Sequence, residues 1–292
     1  MTSSLLKAAG LGLAAFLAAG AAQAEPVKIG SKNFTEQFVV AEIYAQALEK
    51  AGIEVERRLN LGTTQIAQTA ITTGEIDLYP EYTGTAQASV LKGELSSDAD
   101  KVYNEVKSAY EQQFQLTWLQ PTGINNGYAI ITLPETAEKY KLKTLSDLGP
   151  VSKDLTFGAE AGFAERTDGL PGMKKVYGIE FKEFVIFAKL GIRFPAVTDK
   201  QVDLSYGFST DWQIADSNLV VLEDDKSLFP PYYLAPVVRQ DTLAANPKIA
   251  EVLNKVAPLL DNEKMRALNA AVERDREEPA DVAEKFLADN NI

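Results

Sequence analysis

An alternation of strand and helix signals between residues 27 and 78 constrains the fold of this chain more than any other feature. "VKIG" (27–30) has the character of a short buried strand. Asn33 with Glu36 three residues on has the spacing of a capping box, and Val39, Val40, Ile43, Ala47 and Leu48 give one apolar helical face ending at Gly52. "IEVERRL" (53–59) alternates as a strand, "TTQIAQTAITTG" (63–74) reads as a helix closed by Gly74, and "EIDL" (75–78) is the next strand. A β-α-β-α-β order implies a mainly parallel sheet with binding residues at the C-terminal strand ends.

The pattern restarts near residue 127. "GYAIITL", "LTFGAEAGF", "EFVIF", "VDLSYGF" and "NLVVLEDD" carry strands, and "YYLAPVVR" is extended. Asp98 marks the start of another helix before this restart. Beyond Arg239 the chain reads as helical, with Asn246-Pro247 and Glu278-Pro279 as start signals and Asp261 or Asn262 as a cap. No linker or low-complexity segment divides the chain, so two lobes are expected rather than two independent domains. The lobes are residues 25–127 plus 234–292, and 128–233, because the C-terminal helices need a sheet to cover. "TGEIDLYPEYTGT" (73–85) also aligns without gaps on "DKQVDLSYGFSTD" (199–211), matching Asp77 with Asp203 and Tyr82 with Phe208.

Residues 1–24 read as a signal peptide: Lys7, then an apolar alanine-rich run, then a small-residue cleavage site at Ala22, Gln23 and Ala24. The apolar run is too short for a permanent membrane span. An exported, periplasmic protein is therefore expected. The formal net charge of −12 argues against nucleic acid as a partner. With no cysteine and no histidine, disulfides, thiol nucleophiles, imidazole bases and most transition-metal sites drop out. No cofactor, metal or catalytic residue is expected.

Two residue sets remain. Tyr82, Tyr128, Phe208 and Tyr232 lie beside strand or crossover ends, with no acid matched to them in sequence. Ring faces are the usual partner of a quaternary ammonium, which cannot donate hydrogen bonds. Lys32 precedes a helix start, Thr85 follows Gly84 at a second one, and Arg166 sits in the polar loop "GFAERTDGL" where its fork suits a carboxylate. Tyr79, Pro80 and Glu81 read as the turn that aims Tyr82 and Thr85. An exported hydrolase using Asp77 and Glu81 is the enzyme alternative, but four residues of extended chain hold them about 13 Å apart, beyond the roughly 5–9.5 Å of a glycosidase pair. A sensor or regulatory module on the same fold is the third reading.

The motifs "IGSKNFTEQ" (29–37), "LGTT" (61–64), "GEIDLYPEYTGT" (74–85), "NNGYAI" (125–130), "FAERTDGLPG" (163–172), "FSTD" (208–211) and "VLEDDKSLFPPYYLAPVVR" (221–239) occur in that order. In them the chain resembles the periplasmic binding proteins of ABC importers for glycine betaine, choline and related osmoprotectants. The resemblance implies an α/β fold of two lobes, each with a parallel-rich sheet and flanking helices, joined by two crossing strands. It places the ammonium cage on Tyr82, Tyr128, Phe208 and Tyr232 with the Asn126 backbone carbonyl nearby, and the carboxylate grip on Lys32, Thr85 and Arg166. The implied partners are a quaternary ammonium ligand and a membrane permease, the binding protein itself being a monomer. The family usually has tyrosine at the position of Phe208; Tyr206 lies on the same side of that strand.

Overall fold

The computed structural model describes residues 25–292, so the signal-peptide reading falls outside the described residues. Ten strands form two five-stranded sheets. The first has the order β2-β1-β3-β10-β4, from β1 (Val27–Lys32), β2 (Val55–Gly62), β3 (Leu78–Tyr82), β4 (Leu116–Trp118) and β10 (Leu234–Arg239). The second has the order β7-β6-β8-β5-β9, from β5 (Tyr128–Thr132), β6 (Thr156–Glu160), β7 (Glu183–Phe187), β8 (Leu204–Phe208) and β9 (Val220–Leu222). Segments 119–127 and 223–233 run between the sheets, touching through a bridge between Asn125 and Tyr233.

The sheets are mixed rather than parallel-rich. In each, two pairings are parallel and two antiparallel, because the strand that arrives from the opposite lobe enters head to tail beside the central one. Both sheets are covered on two faces. In the first, Ile29, Leu78, Leu234 and Val238 share a core with helix α1 (Thr35–Lys50) and the C-terminal helices, whose Leu253, Met265, Phe286 and Leu287 are buried there. The other face packs Tyr79, Trp118 and Val237 against helix α2 (Thr64–Thr73) and Tyr110. Gly74 ends α2 at φ 78°, a left-handed cap that glycine takes without a side-chain clash.

Two local readings are corrected. Tyr79, Pro80 and Glu81 are not a turn; they lie inside β3, all five of whose residues are buried at the centre of the sheet. Pro80 stands directly opposite Pro236 of β10, so the two missing amide donors fall on one rung of the ladder. Asn33 and Glu36 do not form a capping box either. Phe34 is the cap residue of α1 and makes no side-chain cap bond, while Glu36 turns inward.

The internal echo is structural. Asp77 accepts the Lys28 amide at 2.8 Å, and Asp203 accepts the Thr156 amide at 2.7 Å, pinning β1 to the start of β3 in one lobe and β6 to the start of β8 in the other. Ile29 pairs with Leu78 as Phe157 pairs with Leu204, and Leu234 faces Tyr82 as Tyr128 faces Phe208. The two lobes therefore present β1 and β6, and β3 and β8, as counterparts.

Candidate ligand-binding cleft

The C-terminal ends of β1 and β3 face those of β6 and β8 across a cleft of about 370 Å³. Lys32, Tyr82, Thr85, Asn126, Tyr128, Arg166, Phe208 and Tyr232 all line it. Residues up to 200 positions apart in sequence thus converge because each follows a strand end or a crossing segment.

The rings meet across the lobes. Tyr128 lies 5.5 Å from Phe208 and 5.5 Å from Tyr232, the latter edge-on at 85°. Phe34, absent from the residues singled out in the sequence, stacks between Tyr82 (6.4 Å, 21°) and Phe208 (6.2 Å, 28°). Tyr206 stacks on Phe163 at 5.0 Å and meets Tyr128 and Phe208 edge-on. Gly84 lets Tyr232 close in: a Cβ there would come within 2.6 Å of the Tyr232 ring and 2.9 Å of the Pro231 carbonyl.

Each of three tyrosine hydroxyls is committed to a carboxylate. Tyr82 donates to Glu36 at 2.6 Å, Tyr232 donates to Asp168, and Tyr206 donates to Glu160. The hydroxyls therefore aim the rings, and protein cations already stand over three of the four rings singled out in the sequence: Lys32 4.7 Å from Tyr82, Arg166 5.4 Å from Tyr128 and Arg193 4.6 Å from Phe208. This ring-and-carboxylate arrangement is what the aromatic spacing in the sequence could not convey.

Glu36 is the node of the cleft floor. Besides Tyr82 it accepts Asn126 Nδ2 at 2.9 Å, Thr210 Oγ1 at 2.6 Å and Asn269 Nδ2 at 3.2 Å. Its donors come from β3, a crossing segment, the loop after β8 and the helix Asn262–Glu273. Burial raises its carboxyl above the ordinary range, opposed by the bonds from Thr210, Tyr82 and Asn269.

The cations are not free point charges. Lys32, 4% exposed, pairs with the fully buried Glu81 at 2.5 Å and holds its ammonium 4.7 Å from the Tyr82 ring. Burial lowers its pKa, against the pull of Glu81. Arg166 grips Asp168 with both Nε (2.7 Å) and Nη2 (2.5 Å), which leaves Nη1 as the edge available to a ligand. Burial works against its charge, but Tyr128 and Asp168 outweigh it and the guanidinium stays protonated. Arg193, behind the cage, lies 4.6 Å from the Phe208 ring and pairs with Asp211 at 3.1 Å. Thr85 is buried within a short helical segment that begins at Thr83. Asp77 and Glu81 do not act together: Asp77 is held by the Lys28 amide, and Glu81 lies under Lys32.

Two α/β lobes around an aromatic, charge-lined cleft define a binding-protein clamp for a small molecule. A family model described as the substrate-binding domain of an ABC-type glycine betaine transport system matches residues 25–289. The chain belongs to this family. It is 36% identical to the glycine-betaine-binding protein of Pseudomonas aeruginosa over 298 residues, covering 99% of this chain and 95% of that one. It is 34% identical to the carnitine transport binding protein OpuCC of Listeria monocytogenes over 275 residues, covering 93% and 89%. Among solved structures it is similar to one titled as a glycine betaine/carnitine/choline ABC transporter, with a TM-score of 0.74, 31% identity, and 91% and 98% of the two chains covered.

Proposed function

We propose that this protein is the extracytoplasmic substrate-binding component of an ABC importer, and that it clamps glycine betaine or a related quaternary ammonium compound and delivers it to a membrane permease. The observation that carries this reading is the convergence of rings from both lobes on one cleft, with the Tyr82 and Tyr232 hydroxyls each turned back onto a carboxylate. Such a cleft offers a trimethylammonium group ring faces and asks no hydrogen bond of it.

In this reading Tyr82, Tyr128, Phe208 and Tyr232 hold the ammonium, with Phe34 completing the ring set and Asn126 at the floor. Lys32, Thr85 and the free edge of Arg166 meet a ligand carboxylate. The clamp divides into residues 25–127 with 234–292, and 128–233, and closes by a hinge at the crossing segments. Micromolar binding requires roughly −8 kcal/mol. Three or four desolvated ring faces at about 0.5–2 kcal/mol each supply part of that. Charge-assisted bonds at about 1.5–3 kcal/mol each before association costs supply the remainder.

The chain acts as a monomer, binds no nucleic acid, and carries out no catalysis; residues 1–24 direct export. Titration calorimetry with glycine betaine, choline, carnitine, proline betaine and an ordinary amino acid tests the reading. Binding of one or more of the methylated compounds and not of the amino acid is expected. Preference for the amino acid, or no binding of any methylated compound, would refute it.

A further inference from the structure

Glu160 is the one carboxylate among the described residues with a buried oxygen that receives no hydrogen bond. It ends β6 on the wall of the cleft. Its Oε2 takes the Tyr206 hydroxyl, while Oε1 has no protein donor. No neighbouring cation bonds Oε1. Arg193 bonds Asp211, the Leu190 carbonyl and the Tyr206 carbonyl. The Nε and Nη2 of Arg166 go to Asp168. The other carboxylates of the cleft are served: Glu81 by Lys32, Tyr79 and the Tyr82 amide, Glu36 by four side chains, and Asp168 by Arg166 and Tyr232.

A buried carboxylate oxygen is costly to leave without a donor, so it marks a place that a donor reaches. In a ligand cleft that donor arrives with the ligand. Methyl groups on an ammonium cannot supply one, and the carboxylate of a betaine is an acceptor. We infer that Glu160 is a further ligand-binding residue, and that the preferred ligand is a quaternary ammonium compound that also carries an O–H or N–H donor. The inference rests on the quaternary-ammonium reading above and narrows it: glycine betaine itself, with no donor, leaves Oε1 unserved. A hydroxylated trimethylammonium compound satisfies both the cage and Glu160.

Two pairs of probes isolate the donor: carnitine against γ-butyrobetaine, which differs only by lacking the hydroxyl, and choline against its methyl ether. The pair that the wild-type protein binds more tightly in calorimetry carries the comparison. Its hydroxyl-bearing member should bind roughly ten- to a hundredfold tighter, the range of one hydrogen bond to a charged group. Glu160→Ala should abolish that ratio. Tyr206→Phe, which keeps the carboxylate, should preserve it even if both affinities fall. Equal affinities within the pair in the wild type, or a ratio that survives Glu160→Ala, would overturn the assignment. Loss of the ratio in Tyr206→Phe as well would also overturn it, since the effect would then belong to the shape of the wall. If the wild type binds none of the four compounds, glycine betaine separates the two failures: its binding leaves the quaternary-ammonium reading standing and overturns the inference alone, and its failure to bind removes both.

Discussion

Lys32 and Glu160 occupy counterpart positions at the ends of β1 and β6, yet the two lobes treat them differently. In the first lobe the charge meets an opposite charge on the adjacent strand, where Glu81 of β3 is fully buried against Lys32. In the second lobe the adjacent strand offers only the Tyr206 hydroxyl, and one carboxylate oxygen is left without a donor. The strand plan is shared down to Asp77 and Asp203, which hold equivalent amides. The strand ends have diverged. In one lobe the charge at the strand end is paired within the protein, while in the other a carboxylate oxygen is kept for what enters the cleft.

The largest expected effect follows from this contrast. Glu81→Gln leaves the Lys32 ammonium buried and without its counter-charge, which should cost about 3–5 kcal/mol of folding stability. Glu160→Ala removes a carboxylate held by a single hydroxyl, and should cost no more than about 1 kcal/mol. Denaturant unfolding of both variants reads the difference. Equal losses would erase the distinction between the two lobes.

Arg166 tests the same contrast within the second lobe, where Nε and Nη2 pair with Asp168 and the remaining edge is proposed to meet a ligand carboxylate. Arg166→Ala should weaken glycine betaine relative to choline by about 1.5–3 kcal/mol, the range of one charge-assisted bond to a carboxylate. Parallel losses for both ligands would make Arg166 a support for the loop alone. A smaller effect is expected at Tyr82. Tyr82→Phe takes one of four donors from Glu36 and should cost about 1 kcal/mol of stability while changing ligand affinity little. Tyr82→Ala should weaken a quaternary ammonium by about 1–2 kcal/mol. A Phe variant that loses as much affinity as the Ala variant would show that the hydroxyl, not the ring face, holds the ligand.

The strand–helix alternation, the caps at Gly74, Asp98 and Asp261, and the position of the cleft were legible because each leaves a local mark in the sequence. That Tyr82, Tyr128, Phe208 and Tyr232 share one cleft was legible as well, since Tyr82 and Phe208 close strands and Tyr128 and Tyr232 stand beside or in the crossing segments. What escaped depends on partners far along the chain. Tyr79-Pro80-Glu81 resembled a turn because proline usually interrupts strands, and nothing near it announces that Pro236 will stand opposite. Glu36 fits a local capping pattern, but its actual donors lie 46 to 233 residues away. Phe34 is a lone aromatic in a polar loop, with no periodicity to show that it stacks between rings of opposite lobes. Glu160 sits at the end of a short strand, and only the accounting of its neighbours' hydrogen bonds separates it from an ordinary surface carboxylate.

The central claim is that the cleft holds a quaternary ammonium by its charge against ring faces. Choline and 3,3-dimethylbutan-1-ol have the same shape and the same hydroxyl, and differ in the charge of one central atom. Calorimetric titration of the wild-type protein with both compounds isolates that charge. Three ring faces at about 0.5–2 kcal/mol each predict that choline binds at least about tenfold tighter than its neutral twin. Equal affinities, or tighter binding of the neutral alcohol, would contradict the account.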